Sequence, residues 1–335
     1  MHETTPSPYR VLIADDPHPV AAEILKAEGF DVAQIKKLTA LDPAQAGDYD
    51  ALLVRSGDVK DEAFFTSAKR LRVIARAGSG YDNINRKLAA RHNIVVMNAP
   101  DGNAPAAAEL TLAHILNLAR QISAGNATMR AGTWSRAIHK NDFLLRGKIL
   151  GIIGCGRIGS LVARYAKSLG MELVVYDPYI PDSRIEGLEG TRVCALGELL
   201  QAADIVTLHA DLNNETRKMI NAETLKWCKK GAYIVNCARG PMVDAAALAQ
   251  AIEAGHVANA ALDVIEKEPV KCGPDEWKAN PLLGIDRVVF TPHVGGTTKE
   301  SLKEVARQAA EQIVAYLRHG IIANPVFLPA EEALT

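Results

Sequence analysis

No apolar run in this sequence of 335 residues approaches the roughly 18 residues that a membrane-spanning helix needs. The formal net charge is only -1, so no cationic excess points to nucleic acid or an anionic membrane surface. The five cysteines, Cys155, Cys194, Cys228, Cys237 and Cys272, form no C-x-x-C pair and suggest neither a zinc site nor a disulfide framework. Free thiols of this kind fit a reducing cytoplasm. The opening "MHETTPSPYR" lacks the apolar h-region of a secretory signal. No low-complexity linker and no short repeat interrupts the chain. The expectation is a cytoplasmic protein without metal, nucleic-acid or membrane partners.

What is present is an alternation. Short β-rich apolar runs are separated by helical patterns, which implies parallel sheets covered by helices. The first set reads "YRVLIAD", a helix through Val20 to Ala27, "ALLVRS", "LRVIARAGSG" and "NIVVMNAP". A long Ala/Leu-rich helix then starts at Asn103, a good cap, with Pro105 tolerated in the first turn. The second set reads "GKILGIIGCGRIG", "MELVVYDP", "ADIVTLHA", "GAYIVNCARG", "NAALDVI" and "DRVVFTPH". A final helix opens on Thr297 to Glu300, a T-x-x-E capping box, and carries Leu302, Val305, Ala306, Ala309, Ile313 and Leu317 on one face. Two βαβ domains follow from this pattern.

The run "LGIIGCGRIG" places Gly154-x-Gly156-x-x-Gly159 directly after a strand and at the start of a helix. Such glycines allow a tight turn, close approach of backbone to a pyrophosphate, and helix–strand packing. The helix N-terminus then offers free N–H groups to the phosphates. The next strand ends at Asp177, where a ribose-binding acid belongs. The spacing therefore predicts a dinucleotide site. Asp177 favours NAD over NADP, because a carboxylate pairs with a free ribose hydroxyl and repels a 2′-phosphate, and no Arg follows it to receive that phosphate.

Three groups then follow later strands: Arg239 in "VNCARG", Glu268 in "VIEKEPV" and His293 in "TPHVGG". Arg grips a carboxylate bidentately and can polarise a neighbouring carbonyl. His can exchange a proton near neutral pH, and a carboxylate beside it would orient the ring and favour its charged form. Alone, each has a plainer reading: a surface ion pair for Arg239, a solvated acid for Glu268, a turn residue for His293. His114 reads as packed in its helix, His209 as a strand-end residue next to the cofactor, and His18 as a loop residue.

Together "RAGSGYDNIN", "GIIGCGRIG", "VNCARG", "AALDVIEKEP" and "TPHVGGTTKE" resemble the D-isomer-specific 2-hydroxyacid dehydrogenases, from about Arg10 to about Val326. The resemblance implies a catalytic set of Arg239, Glu268 and His293. It implies NAD contacts at Gly154, Gly156, Arg157, Ile158, Gly159, Asp177, His209, Cys237, Ala238, Asp263 and Gly295. It implies an α/β fold of two doubly wound parallel-sheet domains, a Rossmann NAD-binding domain (101–295) inserted into a flavodoxin-like substrate domain (1–100 and 296–335), closing on the substrate. Gln replaces Glu268 in the related formate dehydrogenases, so Glu268 marks a chain built for proton transfer. A homodimer is implied, through the helix from Asn103 and the 125–147 loop with Trp134 and Arg136. Two departures stand out: Ala210-Asp211 occupies a turn that usually holds Pro, and "HVGG" replaces "HxGA". At this length, a regulatory extension of the kind some relatives carry is not expected.

Substrate contacts are expected at Arg55, Arg76, Gly78, Ser79, Gly80, Asn103 and Arg136. Arg55 and Arg76 end two strands of the first domain, and Arg suits bidentate phosphate recognition. The expected substrate is 3-phospho-D-glycerate, with glycerate/hydroxypyruvate, glyoxylate or a sulfonated hydroxy acid as alternatives. The plainer reading of both arginines is a pair of edge salt bridges. A different class, an NAD(H)-sensing corepressor-like binding protein on the same scaffold, is the less favoured reading.

Overall fold

The structure, a computed structural model, describes residues 8–269 and 275–326, so Cys272 and the first seven residues lie outside it. The chain forms two compact units, Met1–Ala104 with Gly296–Thr335, and Pro105–Gly295. No helix among the described residues is long and apolar enough to cross a membrane.

The first unit contains β1 (Arg10–Ala14), β2 (Asp31–Ile35), β3 (Ala51–Val54), β4 (Val73–Arg76) and β5 (Val95–Asn98). All pair in parallel in the order β2-β1-β3-β4-β5, the flavodoxin-like order. Alternate residues of each strand serve opposite faces. Val11 and Ile13 pack with Leu25, Val305, Ala309 and Ile313, while Leu12, Leu52 and Ile74 pack with Phe65, Leu71 and Leu88. Strand β2, "DVAQI", was not expected, because an edge strand that stays largely accessible carries no continuous apolar run.

The second unit contains β6 (Ile149–Ile153), β7 (Glu172–Tyr176), β8 (Thr191–Arg192), β9 (Ile205–Leu208), β10 (Ala232–Asn236), β11 (Val257–Leu262) and β12 (Val289–Phe290). Their order is β12-β11-β10-β9-β6-β7-β8, all parallel. The order reverses where β6 meets β9, and open α/β sheets bind ligands beyond the carboxyl ends of strands at such a point. Both folds are those the sequence predicts.

The helix Ala104–Arg120 begins one residue after Asn103. The capping box expected at Thr297 and Glu300 is displaced by one residue. Thr298 is the N-cap of the helix Lys299–His319, and its side chain accepts from the Ser301 N–H at 3.2 Å. The adjacent threonine serves the same geometry, and Ser301 is buried beneath it.

Candidate active site

Gly154 ends β6 with φ 84, a conformation L side chains rarely adopt, and a Cβ there would stand 2.6 Å from the Ala210 nitrogen after β9. A Cβ on Gly159 would stand 2.2 Å from the Gly154 carbonyl oxygen, so this glycine lets the helix Arg157–Ser168 sit on the loop. Gly156 differs: a Cβ there would meet nothing within 4 Å. No side chain caps this helix, so its first N–H groups face the open space before Gly156. Arg157 is exposed and Ile158 half-buried beside it. This is the cradle a pyrophosphate needs.

Asp177 follows β7 and is 8% exposed. Its Oδ2 accepts from the Cys155 N–H at 2.7 Å and its Oδ1 from the Tyr179 N–H at 2.9 Å, which fixes the carboxylate next to the glycine loop. No Arg follows this acid in the sequence, but the fold brings one to the loop from the next strand. Arg192 reaches across from β8, and its guanidinium donates to the carbonyls of Asp177 and Ile180 and pairs with Asp182. Tyr179, largely exposed, donates its hydroxyl to Glu215 at 2.6 Å.

His209 follows β9. One ring nitrogen lies 2.9 Å from the Thr207 hydroxyl, and the other, Nδ1, is buried with no hydrogen-bond partner among the described residues. Burial lowers its pKa to about 3, so the ring is neutral. An orphaned buried nitrogen, the cradle at Gly156 and the Asp177 carboxylate together fit a dinucleotide such as NAD. Asp211, in the turn where the family usually has Pro, is exposed, and its carbonyl accepts from the Thr216 hydroxyl at 2.6 Å.

The turn after β10 is built by Asn236, which is fully buried. It accepts from the Ala238 N–H at 3.0 Å and donates to the Arg239 carbonyl at 2.9 Å. One amide therefore shapes the backbone on both sides of Ala238. Arg239 is half-buried and donates through Nη1 to the Ala238 carbonyl at 2.8 Å. Cys237 lines the same turn. Burial pushes its thiol up to about 12, so it acts as a neutral wall and not as a nucleophile. A Cβ on Gly240 would stand 2.0 Å from the Ile265 carbonyl, so this glycine admits the segment that carries Glu268.

Glu268 is buried, and its Oε1 lies 2.9 Å from His293 Nδ1. The His293 side chain is itself 46% exposed, so the pair has a buried end and an accessible end. His293 holds a φ of 55, a left-handed conformation that costs a non-glycine residue about 1–3 kcal/mol. Its partner in holding that bend is Asp263, 2% exposed. Asp263 Oδ1 accepts from the Thr291 hydroxyl at 2.5 Å and the Val294 N–H at 2.9 Å, and Oδ2 accepts from the Gly295 N–H at 2.9 Å. The Asp263 carbonyl accepts from the His293 N–H at 2.8 Å. His114, buried and with its pKa lowered by desolvation, meets the Thr291 hydroxyl at 3.0 Å, which agrees with its reading as a packed residue. The fold thus joins Glu268 to His293 directly, and Gly240 sets the Arg239 turn against the segment leading to Glu268.

Of the substrate residues expected in the first unit, Arg55, Arg76 and Gly78 to Gly80 lie at carboxyl ends of β3 and β4, and Asn103 follows β5. Arg55 lines a cavity of about 240 Å3 with Asp16, His18, Ala77, Leu302 and Val305. His18 lies in the loop after β1, as its sequence position predicts, and its Nδ1 accepts from the Val20 N–H at 3.2 Å. Asp15 and Asp16 both hold positive φ, 68 and 50, and Asp16 lines this cavity. Arg76 folds over Gly78, whose Cβ would stand 1.6 Å from Arg76 Nη1. The Ser79 hydroxyl bonds Asn103 Oδ1 and lies 3.2 Å from the Pro100 carbonyl, with Gly80 half-buried next to it. Arg136, in the second unit, is exposed.

The family model for the D-isomer specific 2-hydroxyacid dehydrogenase NAD binding domain matches residues 112–295. The chain is 40% identical over 324 residues to the D-3-phosphoglycerate dehydrogenase of Methanocaldococcus jannaschii, covering 96% of this chain and 60% of that protein. It is 38% identical over 323 residues to the D-3-phosphoglycerate dehydrogenase of Bacillus subtilis, covering 96% of this chain and 59% of that one. The chain thus spans about three fifths of the length of these relatives. Among solved structures, the D-lactate dehydrogenase of Aquifex aeolicus complexed with NAD and lactic acid superposes with a TM-score of 0.84 at 27% identity, covering 96% of this chain and 100% of that one. With the glycine cradle and Asp177 in one unit and the matched span covering more than half the sequence, this chain belongs to the D-isomer-specific 2-hydroxyacid dehydrogenase family and carries its NAD-binding domain.

Proposed function

We propose that the chain interconverts an anionic D-2-hydroxy acid and its 2-oxo acid with NAD(H), and that the acid is 3-phospho-D-glycerate. The observation that carries the reading is the 2.9 Å contact between Glu268 and His293 in the NAD-binding unit. Bound NAD supplies the hydride acceptor in oxidation, and NADH the donor in reduction. Arg239 holds the C1 carboxylate and polarises the C2 oxygen. Glu268 engages Nδ1 of His293, which leaves Nε2 to exchange a proton with that oxygen. In oxidation His293 takes the hydroxyl proton as the C2 hydrogen leaves with its electron pair, and in reduction it returns a proton to the oxyanion.

Substrate choice is assigned to Arg55 and Arg76. Among the described residues no ion pair occupies Arg55, which lines its cavity instead. The curated relatives named above are phosphoglycerate dehydrogenases, which supports a phosphorylated acid. The test compares kcat/KM for 3-phospho-D-glycerate and D-glycerate. Arg76→Met and Arg55→Met are each expected to lower the phosphorylated value by about tenfold or more, the scale of a charge-assisted hydrogen bond, with D-glycerate within about twofold. An intact preference in both variants removes the phosphate assignment. No turnover of either acid by the unsubstituted protein removes the enzyme reading itself.

The second unit carries an apolar strip on one stretch of chain: Ile122, Met129, Trp134 and Leu144 are 59%, 52%, 80% and 75% exposed. A second copy of the chain is the occupant this strip fits, with Arg136 on the same stretch. Sedimentation should show a dimer, and Trp134→Glu should shift it to monomer. A wild-type monomer at micromolar concentration would overturn this assignment. The free thiols of Cys155, Cys194, Cys228 and Cys237 favour a cytoplasmic setting.

A further inference from the structure

We propose that Arg192 is a positioning residue for the cofactor-binding carboxylate of Asp177 and thereby sets the affinity for NAD. The inference rests on the dinucleotide site, and its NADH-binding readout is independent of the substrate reading.

The loop leaving β7 carries Asp177 at its start and Ile180 near its end. Its sheet partner is short. The ladder between β7 and β8 consists of Val174 opposite Thr191 and Val175 opposite Arg192. Beyond it the carbonyls of Asp177 and Ile180 have no strand to pair with, and the Arg192 guanidinium takes both. Its Nε pairs with the exposed carboxylate of Asp182. One planar group thus hydrogen-bonds two carbonyls along the loop, with Asp182 as its ion-pair partner, and continues the sheet's hydrogen bonding after the ladder ends. An ammonium offers no such fork, so Lys would not reproduce it.

The consequence falls on the Asp177 carboxylate. It has two N–H partners of its own, Cys155 and Tyr179, and the second belongs to the loop that Arg192 holds. A carboxylate recognises ribose hydroxyls by direction as well as distance, and hydrogen bonds weaken steeply when misaligned. The cation itself is committed to two carbonyls and to Asp182. It therefore holds the acid without offering a landing point for a 2′-phosphate.

The test is NADH binding followed by fluorescence titration on the full chain, with kcat at saturating NADH and the melting temperature recorded alongside. Arg192→Met is expected to raise the NADH Kd by about tenfold, the scale of one charge-assisted hydrogen bond, while kcat stays within about twofold. Arg192→Lys should recover only part of the loss. Combined with Asp177→Ala, the Arg192→Met change should cost less than about twofold further, because its route runs through that acid. An undiminished penalty in the Asp177→Ala background would overturn the proposal. So would NADH binding within about twofold of wild type in Arg192→Met, or a fall of kcat in step with affinity. If Arg192→Met does not fold, Arg192→Lys carries the same cycle, since it keeps the charge and loses the fork.

Discussion

His293→Ala is expected to lower kcat by about 10³, with NADH binding unchanged. General acid–base groups typically contribute about 10² to 10⁴ in rate, and His293 is the proposed proton carrier at the C2 oxygen. The side chain is 46% exposed, so truncation leaves no buried void. Alanine also retains the positive φ that Asp263 imposes at this position, at a cost comparable to that of histidine, so the loop should hold its shape. Glu268→Gln should be milder. Glutamine can still accept from Nδ1 and orient the ring, but as a neutral acceptor it makes the weaker hydrogen bond. Steady-state rates together with NADH titration separate the two effects. A His293→Ala protein that retains more than about a tenth of wild-type kcat would remove His293 from the proton step.

Gly240→Ala should be as damaging by another route. Gly240 lies outside the left-handed region, so alanine meets no torsional penalty there. The cost is steric: the new Cβ would stand 2.0 Å from the Ile265 carbonyl and 2.6 Å from the Glu266 nitrogen. Backbone cannot rotate away as a side chain can. The segment leading to Glu268 must move, and with it the partner of His293. Overpacking of this kind costs typically about 1–3 kcal/mol. A melting temperature lower by a few degrees and a kcat/KM lower by about 10² or more are expected. NADH binding should survive, since the Gly154 cradle lies at another strand end. Wild-type turnover in Gly240→Ala would show that the Arg239 and Glu268 segments need not lie together.

The fold was legible where periodicity is strong. Buried strands such as "ALLV" and "ILGII" are continuous apolar runs, and the glycine loop announces the switch point. Two of the four edge strands were not legible, whereas β5 and β12 were read as "NIVVMNAP" and "DRVVFTPH". β2 is mostly accessible and β8 has two residues, too few for any pattern. The displaced cap has a similar cause: two adjacent threonines can each begin the helix, and burial of Ser301 decides between them.

The site was legible as residue types at strand ends, but not as geometry. Glu268 taken alone reads as a solvated acid, and only the fold shows it buried against His293. Asp263 was expected as a cofactor contact. Its carboxylate is seen spanning Thr291, Val294 and Gly295, a role that depends on a loop roughly 30 residues further on. Asn236 and Arg192 went unnoticed because both act on backbone carbonyls, which no sequence motif displays.

The proposed reaction is a hydride exchange with a D-configured 2-hydroxy acid, served by Arg239, Glu268 and His293. The most direct measurement supplies NADH with a panel of 2-oxo acids, phosphorylated and not, follows NADH oxidation, and determines the configuration of the product. NADH oxidation is expected to stop in His293→Ala, with the D-hydroxy acid formed and 3-phosphohydroxypyruvate preferred in the unsubstituted protein. Tight NADH binding with no acid reduced, or an L-configured product, would contradict it.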